Sequence, residues 1–136
     1  MDITLAVLCE YVTVSEAGQL SLIGMVERLR SRTWPCKCRP MHLVLRFAAN
    51  PAEAGQTKKV QVVLMDQDGK PLGRQRMSIS IPRVPKTGEQ GRNILIQGRL
   101  FFPRLRFKFP GDYAFVVLVG GEPKATVSLE LRRRTG

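Results

Sequence analysis

The basic residues of this sequence have the number and spacing that most directly suggest a binding chemistry. The 136-residue chain contains 22 Lys and Arg against 11 Asp and Glu, a net charge of +11. Three clusters stand out: Arg28, Arg30 and Arg32; Arg104, Arg106 and Lys108; and Arg132, Arg133 and Arg134. If two clusters meet on one face, they form a basic stripe able to hold phosphates. We therefore predict that the partner is an acidic protein or a nucleic acid.

Catalytic chemistry finds little support in the residue types. The chain has one histidine, His42, and no nucleophile elbow, HExxH motif, P-loop or dinucleotide fingerprint. A Ser–His or Cys–His pair would have to use His42, and nothing around it favours such a pair. Asp66 and Asp68 are close carboxylates, but an Asp-Gly hairpin turn accounts for them. We predict a protein that is not an enzyme and needs no cofactor.

A zinc site is the third kind of chemistry that the residue types allow. Cys36, Cys38 and His42 lie within seven residues of one another, and Cys9 could supply a fourth ligand. Structural zinc sites place at least two residues between paired cysteines, so a buried Cys9 and two loop thiols are the simpler interpretation. A zinc-binding or hydrolytic protein stays an alternative. A Cys36–Cys38 disulfide would be strained.

The location of the protein is predicted from what the sequence lacks. No apolar run approaches the roughly 20 residues that span a bilayer. The first ten residues carry Asp2 and Glu10 without a basic segment, which is unlike a secretory signal. Three cysteines are an odd number, and they suit a reducing environment. We predict a cytoplasmic protein.

Strands are predicted to position these residues, because apolar side chains recur at period two. The clearest pattern lies in residues 109–131, where two apolar segments flank Gly-Gly-Glu-Pro. The residues predicted to point into a core are Tyr113, Phe115, Val117 and Val119, then Ala125, Val127, Leu129 and Leu131. The first segment is apolar on both faces, which predicts an interior strand. The hydroxyl of Tyr113 is predicted to bond to nearby backbone, as in a tyrosine corner.

Six further strands are predicted, at residues 3–14, 20–30, 41–47, 58–65, 74–81 and 93–101. The first two form an antiparallel hairpin, residues 66–69 form a hairpin turn, and residues 50–55 form one helical turn. Residues 104–109 alternate basic and apolar, with Leu105, Phe107 and Phe109 predicted to point inward. Residues 82–91 are rich in Pro and Gly and are predicted to be a mobile loop.

Seven or eight short strands without a crossover helix predict an immunoglobulin-like antiparallel β-sandwich. The length fits one domain, 1–136. Edge strands of such a fold could also pair two copies into a homodimer. We predict a non-catalytic protein-interaction or assembly module with a strongly basic surface, and nucleic-acid binding is the alternative.

Four stretches carry a resemblance to a known family: Leu20-Ser-Leu-Ile-Gly-Met25, Arg39-Pro-Met-His-Leu-Val-Leu-Arg46, Asn50-Pro-Ala-Glu-Ala-Gly55 and Pro110-Gly-Asp-Tyr-Ala-Phe115. The chain resembles a bacterial family of small uncharacterised β-sandwich proteins, classed as a domain of unknown function. The resemblance covers most of the chain and implies the fold. It implies no activity, substrate or cofactor.

Overall fold

The computed structural model describes residues 1–83 and 93–135 as an all-β fold. The described residues contain eleven strands and one short 3-10 helix, Pro51–Glu53. The strands are β1 Asp2–Val14, β2 Leu20–Met25, β3 Arg28–Ser31, β4 Cys36–Lys37, β5 Met41–Ala49, β6 Thr57–Met65, β7 Pro71–Ser80, β8 Ile94–Phe102, β9 Arg106–Phe107, β10 Gly111–Val119 and β11 Glu122–Arg133. Eight of them have six or more residues, which matches the predicted seven or eight strands. The sequence patterns did not predict β3, β4 and β9 as separate strands.

The long strands form two sheets that share one core. The four-stranded sheet has the order β2-β1-β5-β8, and the five-stranded sheet has the order β3-β11-β10-β6-β7. Strands β4 and β9 form a separate two-stranded ladder. The core cluster draws on both sheets, with Leu8, Leu43 and Leu45 from the first and Val60, Phe115 and Leu129 from the second.

Alternating burial follows the predicted pattern closely. On β5 the side chains of Met41, Leu43, Leu45 and Phe47 are buried. The inward-pointing residues of β10 are buried as well, while Ala114 and Val116 on its other face are half-buried. Strand β10 lies third of five in its sheet, so the predicted interior position is confirmed.

Local contacts that were predicted from turn residues are also present. The hydroxyl of Tyr113 donates to the carbonyl of Phe109 at 2.6 Å, as predicted. Asp66 Oδ1 accepts from the backbone N–H groups of Asp68 and Lys70, both at 2.9 Å. Asp66 therefore has a structural role in the β6–β7 hairpin turn. Asn50 begins the 3-10 helix with a capping box that it shares with Glu53.

The single strand predicted at residues 20–30 is wrong. The chain pairs with β1 up to Met25, leaves that sheet at the buried Val26, and enters the other sheet as the edge strand β3. The crossing is fixed by a hydrogen bond from the Val26 N–H to the Leu8 carbonyl at 2.8 Å. Strand β3 then runs parallel to β11, whereas the other strand pairs are antiparallel. The predicted all-β class is confirmed, and this parallel pair is a feature that the sequence patterns did not predict.

Phe109 was predicted to point into the core, and its side chain is 69% exposed. The alternation of residues 104–109 does not persist, because β9 has only two residues and the chain turns at Phe109 to begin β10. Phe107 is buried as predicted, and Leu105 is half-buried.

Three predictions about the whole chain have different outcomes. Most of the mobile loop predicted at residues 82–91 lies outside the described residues. The immunoglobulin-like detail of the fold stays a prediction. Within residues 1–83 and 93–135, no helix has the length and apolar character needed to cross a membrane.

Candidate functional site

The parallel pairing of β3 with β11 brings two of the predicted arginine groups together. Arg28 lies opposite Glu130, and Arg30 lies opposite Arg132. Residues opposite each other in a ladder project on the same face, so these side chains share the outer face of the five-stranded sheet. We call this region the arginine corner and define it as Arg28, Arg30, Arg132, Arg133 and Arg134.

A cleft of about 480 Å³ lies at the arginine corner. Its lining consists of the five arginines and Thr135. Arg32 is exposed just beyond the end of β3, and its side chain is not part of this lining. Five guanidinium groups around one cleft produce a strongly positive local field.

Two acidic side chains neutralise part of this charge. The Arg28 Nε atom donates to Glu130 Oε2 at 2.6 Å, and Arg132 Nη2 donates to Asp112 Oδ1 at 2.6 Å. The hydrogen bond to Asp112 raises the pKa of Arg132. Arg30 lies directly opposite Arg132, a like-charge neighbour. Within residues 1–83 and 93–135, five cations therefore face two carboxylates.

The other three arginines of the corner differ in their surroundings. Arg30 and Arg134 form no ion pair with an acidic side chain in residues 1–83 and 93–135. The Arg133 guanidinium lies over the ring of Trp34, 5.9 Å from its centroid. Trp34 is itself held by a hydrogen bond from its Nε1 to the Ser31 carbonyl at 3.0 Å. The charges of Arg30 and Arg134 are thus the ones most available to an external anion.

The third predicted basic group lies in a different cleft. Arg106 pairs across the β4–β9 ladder with Lys37, a residue that the sequence analysis did not single out. Arg104, Arg106 and Lys37 line a cleft of about 530 Å³ together with Cys38 and Leu105. Lys108 is exposed and does not line it. This cleft shares no lining residue with the arginine corner, so only two of the three groups form one site.

The candidate zinc ligands do not form a cluster. In the part of the chain that the structure describes, no three His, Cys, Asp or Glu side chains are placed to hold a metal ion. Cys9 and His42 face each other in the four-stranded sheet, whereas Cys36 lies in the β4–β9 ladder. All three cysteines are free thiols. Burial, and secondly the neighbouring Cys36 thiol, raises the pKa of Cys38 to about 12.

His42 belongs to an apolar row that the sequence analysis missed. Met25, Cys9, His42 and Phe101 lie opposite one another across all four strands of the first sheet, on its outer face. The imidazole stacks on the Phe101 ring with 4.8 Å between ring centroids. Its Nδ1 atom is buried and has no hydrogen-bond partner among the described residues. Apolar residues on both faces of β1 and β5 were the available signal, because such strands cannot have one fully polar face.

Comparison with known proteins identifies the family. The sequence profile of DUF6941, a family of unknown function, matches residues 4–132. The chain belongs to this family. Membership in DUF6941 confirms the predicted resemblance to a family of unknown function. No curated protein matches the chain with significant similarity.

Among solved structures, the DUF6941 chain is similar to the Pseudomonas fluorescens alkylpurine DNA glycosylase AlkC bound to DNA containing an abasic site analog. The two are 16% identical, with a TM-score of 0.44. The match covers 93% of this chain and 30% of the glycosylase chain. At this TM-score the likeness carries no inference about function.

Proposed function

We propose that this domain is a non-catalytic protein-interaction module that binds an acidic segment of a partner protein at the arginine corner. The observation that supports the proposal most directly is the parallel register of β3 and β11, which gathers five arginines around one cleft. Guanidinium groups form short, charge-assisted and often bidentate hydrogen bonds with carboxylates. The arginines of the corner outnumber the neighbouring carboxylates of the described residues. An acidic ligand would supply carboxylates for the remaining guanidinium groups.

Nucleic acid is the alternative that must be separated from an acidic protein. Phosphates would also bind guanidinium groups, and sequence-tolerant binders of single strands add aromatic rings on which bases stack. The aromatic ring at the corner is that of Trp34, and the guanidinium of Arg133 already lies over it. This arrangement favours carboxylate contacts over base stacking.

The test compares two anionic probes by fluorescence anisotropy. One probe is a labelled peptide of about ten residues that alternates Glu and Val, a length that could lie along one sheet edge. The other is a single-stranded oligothymidylate of matched charge. Both are titrated at roughly 50 and 300 mM salt, because ionic contacts at an exposed site weaken as salt increases.

Two charge-reversal variants localise the binding. In the double variant Arg30→Glu and Arg134→Glu, we expect at least a tenfold loss of peptide affinity, roughly one lost charge-assisted contact per residue. The matched control is Arg74→Glu with Arg76→Glu, two exposed arginines of β7 at the opposite edge of the same sheet. The control should bind nearly as the parent does, and thermal melting checks that both variants fold.

Three results would overturn the proposal. If neither probe bound at low salt, the protein would have no anion-binding site at the corner. Equal losses in the corner variant and in the β7 control would show a general attraction without a site. If the oligothymidylate bound more tightly than the peptide and displaced it, the corner would be a nucleic-acid site.

The setting and oligomeric state form the remaining part of the proposal. We infer a reducing, cytoplasmic environment, which the three free thiols support. A homodimer through edge strands stays a prediction. Light scattering of the purified protein at both salt concentrations measures its mass.

A further inference from the structure

In the part of the chain that the structure describes, the outer edge of β3 carries unpaired backbone groups. In its parallel ladder the Glu130 N–H donates to the Glu27 carbonyl at 2.9 Å, and the Arg134 N–H donates to the Ser31 carbonyl at 3.0 Å. Alternate residues of a strand direct their N–H and C=O groups to the same side. Residues 27, 29 and 31 therefore face β11, and the backbone groups of Arg28 and Arg30 face away from it.

Nothing in the described residues pairs with that edge. Strand β3 is the terminal strand of its sheet, and both Arg28 and Arg30 are exposed. Two consecutive outward-facing residues of a strand provide two N–H donors and two carbonyl acceptors. This number matches one short segment of added strand.

The charges at this edge select the kind of strand that could be added. A second copy of β3 would set arginine beside arginine, which is unfavourable for directly opposite residues. Arg30 already lies opposite Arg132 on its inner side. An acidic residue on its outer side would relieve that repulsion and would meet a guanidinium that has no acidic partner within the described residues.

The other sheet edges have different chemistry. The edge strand β2 exposes Ile23 and Met25, and the edge strand β8 exposes Leu95 and Phe101. The edge strand β7 carries Arg74 and Arg76, but these lie opposite Val63 and Gln61. An acidic strand added there would therefore not reduce repulsion between two opposite arginines. Charge complementarity to an acidic strand is therefore greatest at β3.

We propose that the acidic partner segment binds as an added β-strand along the free edge of β3, with backbone hydrogen bonds to Arg28 and Arg30 and a carboxylate beside the Arg30 guanidinium. This inference rests on the proposed function, because it specifies how an acidic segment binds at the arginine corner. Backbone pairing fixes the register of the segment, and its acidic residues fall at every second position on the outer face.

Amide hydrogen exchange measured by NMR distinguishes strand addition from charge attraction alone. The protein is measured alone and with the alternating Glu-Val peptide. A second peptide has the same sequence with every backbone nitrogen methylated, so it keeps the side chains and the charge but cannot donate a backbone N–H to the edge strand. With the Glu-Val peptide, exchange at the Arg28 and Arg30 amides should slow at least about tenfold. The methylated peptide should bind more weakly and protect neither amide.

The outcomes separate this inference from the proposed function. A Glu-Val peptide that binds at the corner without slowing exchange at Arg28 and Arg30 overturns strand addition and leaves acidic binding intact. Absence of binding overturns both. Protection by both peptides alike also overturns strand addition, because the methylated peptide cannot extend the ladder.

A pair of variants gives a second, independent test. Arg30→Gln removes the charge, and Arg30→Pro removes the charge together with the outward-facing N–H. The loss of affinity in the proline variant should exceed that in the glutamine variant about tenfold, which is the effect of a lost hydrogen bond of about 1.4 kcal/mol. Equal losses in two variants that melt alike would contradict the strand.

Discussion

The outer face of the four-stranded sheet is built from outward-pointing strand residues, and so are Arg28, Arg30 and Arg132 of the arginine corner. On the first surface the apolar side chains are covered by their neighbours: Cys9 and Val44 are 0% and 1% exposed, although neither belongs to the core between the sheets. The second surface consists of exposed cations, two of which have acidic partners. Side chains of the first surface cover one another and so stabilise the fold. The arginines of the corner make few contacts that stabilise the fold, so substitutions there should alter binding more than stability.

The largest effect expected from this contrast comes from a charge placed on each surface. Val44→Lys puts an ammonium group at a buried position, with Val7 on one side and the like charge of Arg99 on the other, and should lower the free energy of unfolding by about 3–5 kcal/mol. Ser128→Lys changes an exposed outer-face residue of β11 and should alter it by less than about 0.5 kcal/mol. Urea unfolding followed by circular dichroism measures both. Similar losses in the two variants would show that the surfaces do not differ as described.

Removing one ring from the apolar row should have a smaller effect. Phe101 is half-exposed and stacks on His42, so Phe101→Ala should lower the free energy of unfolding by about 1.5 kcal/mol. The matched change at the corner is Arg134→Ala, for which we expect a change within about 0.5 kcal/mol. An arginine variant as destabilised as the phenylalanine variant would mean that the corner also supports the fold.

The charge of Glu53 has partners among the described residues of the fold, in contrast to the charges of Arg30 and Arg134 at the corner. Its carboxylate accepts from the Asn50 backbone N–H at 3.0 Å and forms ion pairs with Lys58 and the Met1 amino group. These contacts, the Asn50 hydrogen bond first, lower the pKa of Glu53 to about 2. Because the folded pKa is below the ordinary 4.5, the stabilisation is present above pH 4.5 and is lost as the pH falls towards 2.

Glu53→Gln should therefore destabilise the protein by about 1 kcal/mol at pH 7. Near pH 2 the variant and the parent should differ much less, since about half of the Glu53 carboxylates of the parent are then protonated. Thermal melting across this pH range measures the difference, with the exposed Glu16→Gln as the control. A difference that persists unchanged at pH 2 would attribute the effect to packing.

The smallest effect is expected when the corner is made more positive. Glu130→Gln releases Arg28 from its ion pair and should increase the affinity for the Glu-Val peptide about threefold, with almost no change in stability. Glu122→Gln makes the same charge change at the far end of β11. Equal gains from both variants would indicate that net charge, and not the released arginine, controls binding.

The accuracy of the sequence predictions differs between the two surfaces for a physical reason. From Ala125 to Arg132 of β11 the alternation of apolar and polar residues is clean, so the outward direction of Arg132 could be predicted from period two alone. On β5 apolar side chains occupy both faces, and periodicity could not show that Val44 is covered by neighbours on its own sheet. The position of β3 was missed for a related reason, since the apolar run from Leu20 continues through Val26 while the chain changes sheets.

The sequence by itself determined the all-β class, most strand positions, the Tyr113 hydrogen bond and the Asp66 turn, because each of these depends on residues close together in the chain. It also marked the three basic groups. Only the tertiary structure decided which groups meet. Arg28 and Glu130 are 102 residues apart in the chain, and their contact exists because β3 crosses to the second sheet and pairs in parallel with β11. Pairing across that separation depends on how the sheets pack, which no local pattern specifies.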